Sequence, residues 1–278
     1  MEEWSMNYLY EDVKISVLMG IYNCADTLAE SIESVLNQTH ANIEFIMCDD
    51  GSSDNTYEVA KSYADKDDRI VLLKNEKNIT LGPTLNRCLS VATGKYCARM
   101  DGDDVSTPDR FEKQVRFLEE HPQYAVVGTF MQIYGTDTVR TVSEFPEIER
   151  LAFGNPCCHA TILMHTEVYR ALGGYSDDLK LARIEDVDLF WRLYLAGYKA
   201  ANILEPLYIV REDAFTYKRR KAKFNLRLSS YLLNRCKQAK LSKKYYIICL
   251  KPILSAVIPK RLMILYHLKA DTKMQQKG

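Results

Sequence analysis

The sequence predicts an α/β fold, in which a mostly parallel sheet is flanked by helices, with a helical appendage at the C-terminal end. Over the first two-thirds of the 278 residues, apolar runs of four to six residues alternate with segments of helical periodicity. Such uninterrupted runs are typical of strands buried on both faces. The charge then changes: 17 basic residues and one acidic residue lie in 214–278, which leaves 20 basic and 36 acidic residues, of the 37 of each kind, in 1–213. We therefore predict a domain over 1–213 and a basic helical appendage over 214–278.

In the first half of the chain, the sequence predicts alternating strands and helices. The strands are predicted at Lys14–Met19, Glu44–Cys48, Ile70–Leu73 and Lys95–Met100. The helices are predicted to begin at Asp26 as a capping residue, after Ser53 and Asp54, near Gly82-Pro83 and at Thr107-Pro108. Strands connected in this way form a parallel sheet with right-handed crossovers. Because ligands of such sheets bind beyond the carboxyl ends of the strands, we expect the functional residues to follow the strands.

The second half predicts a less regular arrangement. Strands are predicted at Tyr124–Ile133, Thr161–Met164 and Tyr208–Val210, and helices begin at Thr166 and Glu185. From Phe215 onward the pattern is helical and basic. The longest apolar run, Tyr245–Ile258, is interrupted by Lys251 and is shorter than the ~20 residues of a membrane span. This basic part is predicted either to lie on an anionic membrane surface or to pack on the acidic domain.

The composition favours a protein of the cytoplasm. The eight cysteines show no paired spacing, which favours a reducing compartment and argues against a disulfide framework or a zinc site. The N-terminal segment is acidic and lacks the features of a secretory signal. We expect a cytoplasmic location at the inner face of the cell membrane. We expect no nucleic-acid partner, because no recognised reader motif accompanies the basic charge.

The first of three acidic clusters follows the fourth predicted strand and contains Asp101, Asp103 and Asp104. Three carboxylates within four positions repel one another unless a cation lies among them, which indicates a hard divalent metal with oxygen ligands. The intervening Gly102 allows a ligand to approach the backbone closely. The structural alternative is a solvated acidic turn before a helix N-terminus, where Asp is favourable in any case.

The second and third clusters contain Asp50, which follows the second strand, and Asp186, at the start of a helix. An acid in the position of Asp50 can accept hydrogen bonds from a base or a ribose. A carboxylate in the position of Asp186 could be a general base if its segment folds back over the sheet edge. The structural alternatives, a polar turn for the second cluster and a helix-dipole partner for the third, remain open on spacing alone.

Taken together, the three clusters resemble glycosyltransferase family 2, which includes bacterial exopolysaccharide and capsule sugar transferases. The resemblance covers about residues 14–213. The matching segments occur in the family's order: ISVLMGIYN (15–23), CDDGSSDNT (48–56), ATGKYCARMDGDD (92–104), the turn at 173–175 and IEDVDLFWRL (184–193). The segment REDAFTYKRR (211–220) is similar to a subgroup from biofilm exopolysaccharide operons. The sequence departs from the family pattern at Gly20, where proline is usual, and at Thr80–Asn86, where a Gly-Leu-Ala-like helix start is usual.

The resemblance implies a GT-A fold with a Rossmann-like sheet, and an inverting, metal-dependent transfer of a sugar from a nucleotide diphosphate donor. It implies that Asp50 binds the nucleobase, with Tyr22 packed near it. Asp101 would face the ribose, Asp103 would hold Mn²⁺ or Mg²⁺, and Asp186 would be the general base.

Two further residues are weaker candidates. The guanidinium fork of Arg211 matches the oxygens of a diphosphate, although a surface salt bridge is equally compatible with its position. His159 stands at the head of a predicted strand, where a packed histidine is more common than a catalytic one.

The predicted substrates are a UDP-sugar donor and a saccharide or lipid-linked saccharide acceptor. One alternative is a family member that uses the same fold in a binding or regulatory role. A second is a nucleotidyltransferase, which usually has a glycine-rich, basic loop after its first strand. The corresponding segment here, 20–24, contains no Lys or Arg.

Overall fold

The computed structural model describes residues 10–212 and 222–257, and the chain divides into two units, residues 1–212 and 213–278. In the described part of the first unit the strands are β1 (Ile15–Ile21), β2 (Ile43–Asp49), β3 (Ile70–Lys74), β4 (Tyr96–Arg99), β5 (Val105–Ser106), β6 (Val126–Ile133), β7 (Val139–Arg140), β8 (Leu163–His165) and β9 (Ala200–Val210). The helices are α1 (Ala25–Leu36), α2 (Thr56–Ala64), α3 (Leu81–Val91), α4 (Arg110–Glu120), α5 (Thr166–Ala171) and α6 (Glu185–Leu195), with short 3-10 turns at Ile148–Ala152, His159–Thr161 and Leu179–Leu181.

One sheet contains all of these strands, in the order β3-β2-β1-β4-β8-β6-β9-β5, with β7 paired to β6. The first four, β3, β2, β1 and β4, are parallel to one another. Strand β8 runs antiparallel to both β4 and β6. The α/β fold class predicted from the sequence is confirmed. Because β1, β2 and β4 are parallel, the residues that follow them meet at a single edge of the sheet.

The burial of the strands differs from the prediction at one place. Strands β1, β2 and β4 are buried along almost their whole length. The prediction that β3 is buried on both faces is wrong, because β3 is the edge strand and Val71 is 38% exposed. The apolar run of β3 resembles that of a central strand, and only the strand order of the sheet shows that β3 lies at its edge.

The start of α1 also differs from the prediction. The helix begins at Ala25 with Cys24 in the capping position, so the prediction that Asp26 caps it is wrong. The backbone N–H of Ala25 instead donates to the carboxylate of Asp54 (3.3 Å), and that of Cys24 donates to the Thr56 hydroxyl (2.8 Å). The helix is thus capped by the loop that follows β2, a partner that local sequence does not reveal.

The described part of the second unit is helical, with α7 (Ala222–Gln238), α8 (Lys243–Ile248) and α9 (Lys251–Val257). Its interior contains the apolar side chains Leu228, Leu232, Cys236 and Cys249. Apolar side chains are also exposed, namely Leu226, Ile247, Leu250 and Leu254. No described helix is long and apolar enough to cross a membrane. The predicted helical segment at 262–268 lies outside the described residues, as does most of 211–220.

Candidate active site

Hydrogen bonds join the acidic turn, which follows β4 and contains Asp101, Asp103 and Asp104, to residues at the end of β9. The hydroxyl of Tyr208 donates to Asp104 Oδ2 (2.9 Å) and accepts from the backbone N–H of Asp101 (3.2 Å). The backbone N–H of Arg211 donates to Asp104 Oδ1 (2.8 Å). Both oxygens of Asp104 therefore have partners, and the residue is 3% exposed. We conclude that Asp104 holds the turn in place.

Gly102 allows this turn to pack tightly against the end of β1. A Cβ atom at Gly102 would lie 2.9 Å from Cys24 Sγ, closer than real Cβ atoms approach, and 3.1 Å from Ile21 Cγ2, closer than most do. The Thr27 hydroxyl donates to the carbonyl of Gly102 (3.1 Å). The glycine is thus required by close packing, and it fixes the positions of the carboxylates on either side of it in the sequence.

The carboxylates of the turn are not electrostatically equivalent. Arg99, which is 1% exposed, forms an ion pair with Asp101. Burial, together with the negative charges of Asp101 and Asp103, raises the pKa of Asp104 to about 7. The pKa of Asp103 is also raised, by burial of part of its carboxylate and by the charge of Asp101, although the residue as a whole is exposed. The turn therefore carries negative charge that its neighbours only partly neutralise.

Asp103 is the member of this turn best suited to hold a metal ion. Among the described residues its carboxylate accepts no hydrogen bond from another side chain, whereas the carboxylate of Asp101 pairs with Arg99 and that of Asp104 with Tyr208. No group of three or more His, Cys, Asp or Glu side chains in the described residues could hold a metal ion. A Mg²⁺-like ion typically takes one or two protein carboxylates and completes its shell with phosphate oxygens and water. Asp103 fits a site of that kind.

Asp50, which follows β2, is 4% exposed and strongly hydrogen-bonded. Its Oδ1 accepts from Asn75 Nδ2 (2.8 Å) and from the backbone N–H of Ile79 (2.9 Å), and its Oδ2 accepts from the N–H of Thr80 (3.0 Å). A carboxylate has about four lone-pair sites. One site on Oδ2 is therefore left after these contacts, which is what a single N–H of a nucleobase would need.

Thr80 has an unusual backbone conformation next to Asp50. Its φ is 76° and its ψ is 164°, a region that is essentially confined to glycine. A β-branched residue there is strained by about 1–3 kcal/mol. In this conformation the N–H of Thr80 donates to Asp50. Strain of this kind tends to cluster at binding sites. Thr80, where the sequence departs from the family pattern, is thus a strained residue that contacts Asp50, the candidate nucleobase ligand.

Asp186 lies in the first turn of α6 and is oriented by Asn155. Asn155 Nδ2 donates to Asp186 Oδ2 (2.6 Å), and the backbone N–H of Val187 donates to Oδ1 (2.8 Å). Among the described residues the other side-chain atom of Asn155, Oδ1, is buried without a partner. Asn155 comes from the irregular segment before β8, so this loop determines how the Asp186 carboxylate points.

His159 lies within electrostatic reach of Asp186 and of Asp101 in the acidic turn. Its Nε2 forms a hydrogen bond with the Tyr175 hydroxyl (2.7 Å). Burial and the positive charge of Arg99 lower the pKa of His159 to about 4, while the negative charges of Asp186 and Asp101 oppose this shift. The imidazole is therefore neutral at pH 7. Since both carboxylates act on the same ring, Asp186 and Asp101 lie in one region of the molecule.

A small pocket lies beside the start of α3. Its walls are formed by the start of α3 and by the segment that leads into α6, and they include Thr80, Gly82, Pro83, Ser176 and Glu185. Thr80 is the hydrogen-bond partner of Asp50, and Glu185 is the neighbour of Asp186 in the chain. Asp50 and the acidic turn follow β2 and β4, which flank β1 in parallel, so both lie at the carboxyl edge of the sheet.

The remaining candidates, Tyr22 and Arg211, lie at the same edge. Tyr22 follows β1 and is 49% exposed, and the preceding residue, Ile21, accepts a hydrogen bond from the N–H of Asp50 (2.9 Å). The guanidinium of Arg211 donates to the carbonyl of Asp103 (2.8 Å) and forms an ion pair with Glu30. Arg211 thus reaches the acidic turn, with part of its charge already compensated.

Sequence reasoning missed three residues of the site. Arg99 stands in an otherwise apolar strand, and a charge at a buried position requires a partner, so this signal could have been used. Tyr208 was assigned to a strand without a role, and its contact with the turn depends on the pairing of β5 with β9. Asn155 lies in an irregular loop, where no sequence pattern indicates its contact with Asp186.

Comparison with known proteins gives one family match and several related chains. The model of "Glycosyl transferase family 2" matches residues 16–171. The chain is 46% identical over 260 residues to the putative glycosyltransferase EpsE of Bacillus subtilis, covering 92% of this chain and 94% of the relative. It is 30% identical over 241 residues to the Escherichia coli UDP-Glc:alpha-D-GlcNAc-diphosphoundecaprenol beta-1,3-glucosyltransferase WfaP, covering 85% and 90% of the two chains.

Among solved structures, residues 1–349 of S. aureus TarS in complex with UDP-GlcNAc superpose with a TM-score of 0.68 at 19% identity. The match covers 87% of this chain and 71% of the TarS chain. At this level of identity the likeness concerns the fold.

Proposed function

This chain belongs to glycosyltransferase family 2, and we propose that it transfers a sugar from a UDP-sugar to a hydroxyl of a saccharide or lipid-linked saccharide, with inversion, in exopolysaccharide or capsule biosynthesis. The observation that supports the proposal is the carboxylate of Asp186, which Asn155 orients and whose charge acts on the same imidazole, that of His159, as the charge of Asp101. The similarity to WfaP, whose name includes UDP-Glc, supports UDP as the carrier.

The residues divide the work between the two substrates. On the donor side, the free lone pair of Asp50 accepts from the nucleobase, Tyr22 packs beside the base and Asp101 faces the ribose. On the acceptor side, Asp186 accepts the proton of the attacking hydroxyl, which adds to the anomeric carbon from the face opposite the leaving group. A single displacement of this kind inverts the anomeric configuration.

Asp103 would hold Mn²⁺ or Mg²⁺, with Arg211 close enough to the acidic turn to contact diphosphate oxygens. When bound, the divalent ion neutralises the negative charge that develops on the diphosphate leaving group. The repulsion among Asp101, Asp103 and Asp104 supports this assignment, because a cation at Asp103 would relieve it.

The second unit is proposed to hold the enzyme at an anionic membrane surface. Lys243, Lys244 and Ile247 in α8, Leu250 in the turn after it and Leu254 in α9 are all exposed, at a spacing of one to four residues along the chain. Exposed basic and apolar side chains of this kind suit the membrane interface, where each lysine contributes about 1 kcal/mol.

Thermal unfolding with nucleotides tests the donor and the metal together. We expect UDP at about 100 times its Kd to raise the Tm by roughly 5–10 °C with Mn²⁺. GDP and dTDP should raise it less. Asp103→Asn should lose the metal-dependent part of the shift, and stabilisation by UDP that is indifferent to metal would contradict the proposal. The anomeric configuration of the product, read by NMR, tests inversion separately.

Sedimentation with vesicles that contain anionic lipid tests the membrane surface. The wild-type chain should pellet with them, and Ile247→Ser combined with Leu254→Ser should leave more of the protein in the supernatant. Equal partitioning of the two proteins would contradict the membrane proposal, but it would not bear on the proposed sugar transfer.

A further inference from the structure

The side chain of His159 is the end of a short chain of hydrogen bonds whose other members are buried tyrosines. The Tyr175 hydroxyl lies 2.7 Å from His159 Nε2 and 3.1 Å from the hydroxyl of Tyr169. Tyr169 and Tyr175 are 1% and 2% exposed. Among the described residues neither hydroxyl has a further hydrogen-bond partner, so the three groups can satisfy only one another.

The direction of these hydrogen bonds follows from the cost of burying a donor without an acceptor. If His159 Nε2 donated to Tyr175, either the O–H of Tyr175 or that of Tyr169 would be left without an acceptor. If Tyr169 donates to Tyr175 and Tyr175 donates to Nε2, every O–H in the chain is paired. Nε2 is then the acceptor, and the proton of the neutral imidazole is on Nδ1.

The Nδ1–H of His159 is a hydrogen-bond donor that has no partner among the described residues. The imidazole is half-buried, and Nδ1 is not one of the buried polar atoms, so it is open to solvent or to a ligand. The carboxylates whose charges act on the ring have other partners. Asp186 accepts from Asn155. Asp101 pairs with Arg99.

A shared donor brings the backbone next to His159 close to the acidic turn. Arg110 Nη2 donates to the carbonyl oxygen of Arg99 (2.9 Å) and to that of Ala160 (3.4 Å). Ala160 follows His159 directly, and Arg99 ends the strand that leads into the turn. His159 therefore stands near the part of the candidate site that is proposed to hold the diphosphate.

The same loop also reaches the proposed base. Asn155, which donates to Asp186, lies four residues before His159. The charges of Asp186 and Asp101 both act on the His159 ring. An in-line displacement places the anomeric carbon between the attacking hydroxyl, which Asp186 serves, and the leaving diphosphate, which the acidic turn serves. A ring within reach of both therefore flanks the sugar that is transferred.

We propose that His159 is a specificity-determining residue, whose Nδ1–H donates to an oxygen of the transferred sugar, and that Tyr175 is the positioning residue that keeps the proton on Nδ1. A neutral donor suits an uncharged sugar, since a cation in this place would attract the diphosphate instead. The proposal rests on the proposed function, because it takes a UDP-sugar as the donor and Asp186 as the base. It assigns the recognition of the sugar itself, which the nucleotide-binding residues do not determine.

Nitrogen NMR tests the protonation of His159 without any measurement of activity. In the isotope-labelled full-length chain at neutral pH, we expect Nδ1 to carry a proton and Nε2 to carry none. His159→Gln identifies these signals by removing them. Tyr175→Phe should give a mixture of the two tautomers, because Nε2 then has no hydroxyl from which to accept. A wild-type ring with its proton on Nε2 would overturn the proposal.

Calorimetry with the full-length chain and saturating Mn²⁺ tests the contact with the sugar. The probes are UDP, UDP-glucose, UDP-galactose, UDP-N-acetylglucosamine and UDP-N-acetylgalactosamine. The UDP-sugar that binds most tightly is then compared with derivatives that each lack one polar group of the sugar. We expect at least one derivative to bind the wild-type chain about 5-fold more weakly, because a neutral hydrogen bond contributes on the order of that factor.

Substitutions with matched side chains attribute that factor to one nitrogen of the ring. The amide nitrogen of Asn is as many bonds from Cβ as Nδ1 is, whereas that of Gln matches Nε2. We therefore expect His159→Gln to bind the parent sugar and that derivative equally, and His159→Asn to keep part of the difference. Tyr175→Phe should also reduce it.

His165→Gln is the matched control for the loss of an imidazole. His165 ends β8, and its ring packs against Tyr96 with the centroids 4.7 Å apart. Tyr96 begins β4, so this histidine lies at the opposite end of that strand from the acidic turn. His165→Gln should distinguish the sugars as the wild type does.

The outcomes for the sugar differ from those for the nucleotide. The affinity for UDP itself should be the same in His159→Gln and in the wild type, and a weaker affinity would assign the imidazole to the nucleotide. The proposal is also wrong if the wild type binds every derivative as tightly as the parent sugar, or if its discrimination survives unchanged in His159→Gln. Failure of the proposed function is a different result, in which the wild-type chain binds neither UDP nor a UDP-sugar, or transfers no sugar.

Discussion

At the amino ends of β1, β2 and β4 the carboxylate of Glu44 accepts hydrogen bonds from the side chains of Lys14 (2.8 Å) and Ser16 and from the N–H of Thr93 (2.5 Å) and Gly94 (3.2 Å). These contacts outweigh burial and lower its pKa to about 2. We call this group the amino edge. At the other end of the same strands, the carboxylate of Asp103 accepts no hydrogen bond from another side chain among the described residues, and the pKa values of Asp103 and Asp104 are both raised.

The carboxylates at the two edges affect the stability of the fold differently. A carboxylate that the fold itself satisfies stabilises the folded state in its charged form. A carboxylate that the fold leaves short of partners costs stability until a cation or a ligand arrives, which is typical of a binding site. Removing a carboxylate charge should therefore change the free energy of unfolding in opposite directions at the two edges.

The largest expected effect is on turnover at the carboxyl edge. Asp186→Asn removes the proposed base while Asn155 can still hold the side chain, so we expect kcat to fall by about 10²–10⁴ with little change in Tm. Steady-state kinetics and thermal unfolding measure the two quantities. Glu44→Gln provides the matched control, with kcat near that of the wild type. Retention of more than about a tenth of the turnover in Asp186→Asn would mean that the base lies elsewhere.

The second effect is a difference in sign between the two edges. Glu44→Gln exchanges charge-assisted hydrogen bonds for weaker ones and should lower the free energy of unfolding by about 1–3 kcal/mol. Asp103→Asn removes charge from a repulsive cluster, so the free energy of unfolding should stay the same or rise when no metal is present. Urea unfolding in the presence of a chelator measures both. Equal destabilisation by the two substitutions would refute the contrast.

The sequence predicts the carboxyl edge better than the amino edge. Carboxylates clustered after strands, as in Asp101, Gly102 and Asp103, form a local pattern, and the parallel strands bring such patterns together. Glu44 gives no such signal, because its partners come from two distant segments, 14–16 and 93–94, which the pairing of β1 with β2 and β4 brings to it. The same reason accounts for the missed contact of Asn155 and for the edge position of β3, both of which depend on long-range pairing.

The third effect distinguishes the edges by pH. The folded-state pKa of His159, about 4, lies below its usual 6.5, so its contribution to stability is present above pH 6.5 and is lost as the pH falls through 4. For Glu44 the contribution is present above pH 4.5 and is lost as the pH falls through 2.

His159→Gln should therefore flatten the acid dependence of stability between pH 6.5 and 4, by about 1–2 kcal/mol because the residue is only half-buried. Glu44→Gln should flatten it below pH 4.5. Urea unfolding at a series of pH values measures both effects. If the two substitutions change the free energy of unfolding over the same pH range, the assignments are wrong.

The smallest effect concerns backbone strain. Thr80→Gly should relieve a conformation that threonine adopts at a cost, whereas glycine adds entropy to the unfolded chain, so we expect a net stabilisation of about 1 kcal/mol. Thr93→Gly is the matched substitution at the amino edge, and it should destabilise because the Thr93 hydroxyl bonds Glu44 (2.8 Å). If Thr80→Gly also weakens UDP binding, the strain serves to aim the N–H of Thr80 at Asp50. A loss of stability like that of Thr93→Gly would mean that the threonine is held there by packing.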